Sequence, residues 1–216
     1  MTDPLRIIGD AFDARAAHYD ESAMHRGVAA AVADFVTIEE VNRVVDIATG
    51  TGLVLRELAR RAPELELIGV DISPGMLDVA REALPAAEWI EADAADLPLA
   101  DSSADLVTCV TALHIIPAVA QSAAEWRRVL RPRGRLVTAT FAGPVPETPV
   151  APHGASAAPY LRDHEPYAAP VALNASFGRF GFRLTRHAEW SDGIDTVLIA
   201  ELETAHPDSV DVVPES

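Results

Sequence analysis

Two glycines and a spaced series of aspartates are the residues whose types and spacing best suit chemistry in this chain. In "VVDIATGTGLVLRELARR", residues 44–61, a β-branched run passes through Gly50 and Gly52 into a helical pattern. Glycine lets the backbone bend sharply and approach a ligand with no Cβ in the way. The helix that follows offers free N–H groups and a positive dipole end, so the turn suits a nucleotide or a relative of one. A dinucleotide fingerprint, G-x-G-x-x-G, does not fit. From Gly50 the run reads "GTGLVL", with Leu55 in place of the third glycine, and two residues earlier it reads "ATGTGL". A Walker loop needs a lysine, and all 17 basic residues here are arginines. The same absence excludes Schiff-base chemistry. Asp71 ends the next strand pattern, about 20 residues past the turn, where an acid hydrogen-bonds a ribose. Its two acceptor oxygens suit a vicinal diol and reject a 2′-phosphate. Asp93, in "EADAADLPLADSSADLV", follows a third strand pattern, with Glu91 and Asp96 as rivals in the same run. An Asp side chain and the next backbone N–H together match the acceptor and donor needs of an adenine edge.

These residues need a scaffold that gathers strand ends. From Arg43 to about Phe141 the hydrophobic pattern alternates strand and helix: "RVVDIA", "LVLRELARRA", "LELIGVDI", "SPGMLDVAREAL", "AEWIEAD", "ADLVTCVTAL", "AVAQSAAEWRRVL", "RLVTATF". Ser73 is placed to cap the second helix and Pro74 to open it, where the missing N–H costs nothing. Alternation with continuous β-branched runs predicts a doubly wound α/β fold on a mostly parallel sheet covered on both faces. Ligands then sit at the carboxyl ends of the strands. Residues 1–42 read as a helical cap, carrying "DAFDARAAHY" and "HRGVAAAVADFV", and residues 43–141 as the binding core. Residues 142–180 read as a lid or substrate cover, because residues 142–170 hold seven of the 16 prolines. An aromatic-rich helix near "ALNASFGRFGF" and two strands, "RLTRHAEW" and "DTVLIAELE", lead to a final strand pair over 181–203 and a frayed tail over 204–216.

The bulk composition narrows the partners. A 216-residue chain of 49% apolar and 23% charged residues suits one globular domain. A formal charge of −16 argues against nucleic acid and anionic membranes, which need clustered basic side chains. Cys109 is the only cysteine, which rules out an intramolecular disulfide and a multi-thiolate metal site. There is no H-x-x-x-H and no acidic cluster at metal spacing, so no metal is expected. The first 20 residues carry acids and no long apolar run, and nothing approaches the ~18 apolar residues of a membrane span. A cytoplasmic protein is the expectation.

"VVDIATGTG", "GVDISPGML", "EADAADLPLADSSADLV" and "LRPRGRLV", in this order and spacing, resemble the class I S-adenosylmethionine-dependent methyltransferases, above all the small-molecule group that includes the quinone methyltransferases. The resemblance covers roughly residues 10–141, with residues 175–203 matching by topology only. It implies a seven-stranded Rossmann-like sheet and S-adenosyl-L-methionine as cofactor. By position, Asp46, Ala48, Gly50 and Gly52 match the turn that holds the methionine end. Asp71 matches the acid on the ribose, Ile72 and Met76 the side chains packed on adenine, and Asp93 and Ala94 the adenine-edge contacts. Thr111 matches a backbone contact near the sulfonium, and Tyr19, in "HYDES", a tyrosine that closes over the cofactor. Ala48 stands where glycine is usual, and Arg133 where "LRPGG" would be expected.

The resemblance also implies a function. His114, in "TALHIIP" just past strand four, lies where a methyl acceptor should sit, and its ordinary pKa near ~6.5 suits a general base. A histidine that binds a backbone carbonyl or lines the pocket fits the position equally. His18, His153 and His164 read as surface residues. The acceptor is expected to be a small organic molecule methylated at oxygen, walled by residues 1–30 and 142–180 with Tyr160, Tyr167, Phe177, Phe180 and Trp190. The D/N-P-P-[YFW] turn of amino-methylating nucleic-acid enzymes is absent from "TCVTALHIIP". Two other classes stay open: an NAD-linked oxidoreductase, and a cofactor-binding protein of the same fold, cyclase or regulatory, that does not methylate. Oligomeric state is not readable from the sequence.

Overall fold

The computed structural model describes residues 3–142 and 159–204. The stretch 143–158, most of the Pro-rich part of the expected lid, and the tail 205–216 lie outside the described residues.

Among the described residues seven strands form one sheet in the order β3-β2-β1-β4-β5-β7-β6. The strands are β1 (Arg43–Ile47), β2 (Glu66–Asp71), β3 (Glu88–Glu91), β4 (Ala104–Val110), β5 (Leu130–Phe141), β6 (Phe182–Ser191) and β7 (Thr196–Thr204). The first five run parallel, and β7 enters antiparallel between β5 and β6. β1 and β4 are adjacent at the centre, where strand order reverses, so the turns after β1, β2 and β4 meet at one crevice.

The helices are α1 (Pro4–Asp13), α2 (Ala16–Tyr19), α3 (Ala23–Phe35), α4 (Leu53–Arg61), α5 (Pro74–Ala83), α6 (Val119–Val129) and α7 (Pro170–Gly178). One face of the sheet is covered by α3 and α4 through Val28, Val32, Leu55 and Leu58. The other is covered by α6 and α7, where Trp126 and Phe177 stack 6.2 Å apart, both fully buried. Ser73 caps α5 as expected: its side chain accepts from the Met76 amide, with Pro74 opening the helix.

Three details depart from the sequence reading. "DAFDARAAHY" is not one helix: α1 ends at Asp13, and the chain turns at Ala14–Arg15 before α2. β5 begins at Leu130 directly after α6, and its pairing with β4 shifts register between Ala104 and Leu106, so "RPRG" is absorbed into an irregular strand start. Arg133 has φ +67 there, the left-handed value that the usual glycine would adopt freely. Of the expected aromatic wall, Phe177 is core and Phe180 packs against that core, while the Trp190 ring lies over Gly27 of α3.

Candidate functional site

The carboxyl ends of β1, β2 and β4 and the loop after β3 line an open cavity. Its floor is the turn from Ala48 to Gly52. Ala48, Gly50 and Gly52 all have positive φ, +53, +57 and +76, so the chain reverses into α4 through three left-handed residues. Gly52 is required twice over. A Cβ there would also lie 2.4 Å from the Trp89 ring of β3.

Asp46, 2% exposed, lies beneath this turn and accepts hydroxyl hydrogen bonds from Thr49 and Thr108, both at 2.6 Å. Burial pushes its carboxyl up to about 6 against those two bonds, which pull the other way. Asp71, at the end of β2, accepts from the Gly50 amide at 2.8 Å through one oxygen and from the Ser73 amide at 2.9 Å through the other. It thereby joins the β1 and β2 turns. Burial raises its pKa, and the backbone bonds oppose the rise. The Asp71 side chain lines the cavity, as a diol ligand requires. Ile72, Asp93 and Ala94 line the same cavity. The Asp93 carboxylate accepts from the Ala95 amide at 3.0 Å, and the Ala94 carbonyl takes the Trp126 indole N–H at 3.1 Å. Met76 is fully buried in α5 and lies outside the cavity lining.

Tyr19 and Thr111 close the cavity from opposite sides. Thr111, just past β4, has φ +53 and donates its amide to the Ala139 carbonyl at 2.7 Å. Burial raises the Tyr19 phenol to about 12 against the lowering pull of the Arg15 charge and the Thr111 hydroxyl, so it stays protonated. The roof beside it is Leu5, Ile8, Phe12, His25 and Ala29. Sequence reasoning missed His25. It stacks on Tyr19 at 4.5 Å, and its buried Nδ1 has no hydrogen-bond partner among the described residues. Burial first, then the Arg15 charge, lower its pKa to about 4, so the ring is neutral. Nothing local in "SAMHRGV" signals this, because only the fold of α2 and α3 brings the ring to the cavity.

His114 faces a second open cavity that shares Ile8, Ile115, Ile116 and Pro117 with the first. Tyr160 and Tyr167 also line it. His114 stacks on His164 at 4.1 Å and meets the Phe141 ring edge-on, while its buried Nδ1 has no partner among the described residues. Burial, then the neighbouring His164 and the Arg162 charge, lower its pKa to about 3. His164 is therefore a packing partner of His114 and not the surface residue expected. Among the described residues no group of three or more His, Cys, Asp or Glu side chains could hold a metal, and no helix is long and apolar enough to cross a membrane.

The comparisons agree with this geometry. Residues 45–138 match the family described as "Methyltransferase domain". The demethylmenaquinone methyltransferase of Deinococcus radiodurans is 42% identical over 123 residues, 55% of this chain and 51% of that protein. The malonyl-[acyl-carrier protein] O-methyltransferase of Hahella chejuensis is 34% identical over 137 residues, 62% of this chain and 49% of that protein. The chain thus spans about half the length of these curated relatives. The 1,6-didemethyltoxoflavin-N1-methyltransferase of Burkholderia thailandensis, solved with 1,6-didemethyltoxoflavin and S-adenosylhomocysteine, superposes with a TM-score of 0.72 at 16% identity. That match covers 95% of this chain and 92% of that one, and at this identity it shows the fold. Over residues 45–138 the chain is thus similar to the methyltransferase domain family, and over about half of their length to demethylmenaquinone and other methyltransferases.

Proposed function

We propose that this chain transfers a methyl group from S-adenosylmethionine to a small organic acceptor, at oxygen, by in-line displacement. The observation that carries the reading is the grouping, in one cavity, of a left-handed glycine turn, a ribose-type acid at the end of β2 and the Asp93–Ala94 edge, under an aromatic roof. Asp71 would hold the ribose diol, Asp93 and Ala94 the adenine edge, and the Ala48–Gly52 turn the amino-acid end. When bound, the cofactor supplies a methyl group already activated on a sulfonium. The chain's own task is alignment and exclusion of water, and positioning of this kind is worth ~7–11 kcal/mol. Phe12 and Tyr19 exclude water from above.

The second cavity adjoins the first and is mainly apolar, with His114, Tyr160, Asp163 and Tyr167 as its titratable side chains, which suits a small organic acceptor. His114 is neutral at rest, and because its Nδ1 is buried, the nitrogen free to accept is Nε2, in the tautomer with the proton on Nδ1. It takes the proton that a hydroxyl acceptor sheds as its oxygen forms the bond to carbon, and releases it to solvent. A base whose pKa lies near the working pH contributes about 10²–10⁴-fold in that role, and a ring whose pKa burial has lowered to about 3 contributes less.

Calorimetry tests the cofactor half. S-adenosylhomocysteine should bind and NAD should not, and Asp71→Ala should weaken S-adenosylhomocysteine about 10²-fold by removing two charged hydrogen bonds. Unchanged binding by Asp71→Ala would end the ribose assignment. Conversion of S-adenosylmethionine to S-adenosylhomocysteine over a panel of phenols, carboxylic acids and hydroxyquinones tests the rest. His114→Ala should slow it with cofactor affinity intact. Tight binding with no conversion across the panel would indicate a binding protein that does not methylate.

A further inference from the structure

The roof of the first cavity carries the same dipeptide pattern twice, seven residues apart: Phe12–Asp13 and Tyr19–Asp20. In each pair the aromatic ring lines the cavity. The two rings lie 6.4 Å apart, and the Arg15 guanidinium sits 3.7 Å from the Phe12 centroid and 5.8 Å from that of Tyr19, making one cationic–aromatic unit. Each aspartate instead reaches the amino end of one of the two helices that flank the cavity. Asp13 accepts through a single oxygen, Oδ1, from the Ser73 hydroxyl at 2.5 Å and the Gly75 amide at 2.9 Å, at the start of α5. Asp20 uses both oxygens, one for the Thr51 hydroxyl and one for the Arg56 guanidinium, at the start of α4. Arg26 of α3 also bonds the Asp20 backbone carbonyl. A carboxylate at a helix amino end is favoured by the helix dipole as well as by its hydrogen bonds. Gly75 makes the first contact possible, because a Cβ there would lie 2.9 Å from Asp13 Oδ1.

We infer that Asp13 and Asp20 are paired positioning residues that latch the Phe12–Tyr19 roof to α5 and α4, so that ligand leaves the first cavity only when both latches open. The inference takes its ligand from the cofactor reading above, whereas its geometry belongs to the chain alone. The bonds are long-range, 60 residues apart or more for Asp13 and 31 or more for Asp20, so nothing within α1 or α2 replaces them.

Two measurements on the full chain test the latch. The first is the dissociation rate of S-adenosylhomocysteine, followed by stopped flow. Asp13→Ala and Asp20→Ala should each raise it about tenfold or more, the scale set by losing a charged hydrogen bond. The conservative variants separate latching from mere folding. Asn keeps one acceptor oxygen, so Asp13→Asn should dissociate nearly as slowly as the parent chain. Asp20→Asn should recover only part of the loss, because Arg56 is left without its carboxylate oxygen. Gly75→Ala should also speed dissociation, because its Cβ would displace the Asp13 carboxylate from the α5 amino end. The second measurement is hydrogen exchange of the ligand-free chain. Amides of residues 12–22 should exchange faster in Asp20→Ala, with β1 and β4 unchanged. Parent-like dissociation in both alanine variants overturns the inference, as does exchange that rises equally in cap and sheet. If S-adenosylhomocysteine does not bind the parent chain, the cofactor reading fails, and the exchange experiment still decides the latch.

Discussion

Asp46 is the residue at which burial and function conflict most openly. Its carboxylate is nearly inaccessible, and its partners are two hydroxyls and no cation. A carboxylate whose pKa is 3.8 unfolded and about 6 folded binds its proton more tightly in the folded state. The stability it contributes is therefore present below about pH 4 and is lost as pH rises towards 6, a penalty on the order of 3 kcal/mol at neutral pH. Asp46→Asn keeps one acceptor and adds one donor for the two threonines. It should be more stable than the parent to urea at pH 7.5, with the gap closing by about pH 4. A gap that does not vary between those pH values would show that Asp46 is not the titrating group. At the same scale, sequence reasoning singled out Asp71 and Asp93 by their spacing from the glycine turn and Asp46 through the resemblance, and all three line the cavity. It missed His25, Asp13 and Asp20, whose roles depend on contacts made only after the cap folds back.

The elements of the sheet were legible because their patterns are strong. β1, β2 and β4 are near-continuous buried runs, and α5 carries its own serine cap and opening proline. The break between α1 and α2 was not legible, since "ARAA" has no glycine or proline and helical spacing runs through it. Asp13 bonds α5 at that break, a tertiary contact that outweighs local propensity. Trp89 explains a second silent feature: it lies over β2, where a Cβ on Gly69 would meet its ring at 2.3 Å. The β1–α4 turn gives the element-scale prediction. Ala48 stands where the family that the sequence resembles usually has glycine, and it does so at φ +53, where a Cβ costs about 1–2 kcal/mol. The extra freedom of glycine in the unfolded chain takes back about 0.4–1 kcal/mol of that. Ala48→Gly should therefore raise the unfolding free energy by up to about 1.6 kcal/mol in urea titrations. A loss of stability would mean that the Ala48 methyl, packed against the Ile47 and Val70 cluster, is worth more than the backbone strain.

For the whole molecule the dominant electrostatic quantity is the formal charge of −16. Opposing it are ion pairs such as Arg43–Glu66 and Arg81–Asp78, with side chains largely in solvent, and pairs of this kind are worth about 0–1 kcal/mol each. A few are better placed: Glu201, whose side chain is 6% exposed, receives both Arg135 and Arg186, and Arg128 gathers Glu125 and Asp101. Salt screens both the pairs and the excess negative charge. The repulsion among unpaired acids acts across the whole surface, at separations near the ~8–10 Å Debye length, and is screened most. The pairs around Glu201 are sheltered and should change little. The melting temperature at pH 7.5 should therefore rise as sodium chloride goes from about 0.02 M to about 0.3 M, a range in which screening dominates over salting-out. Sodium sulfate at matched ionic strength should give a similar rise. If the melting temperature falls instead, the ion-pair network, and not self-repulsion, governs the stability of this fold.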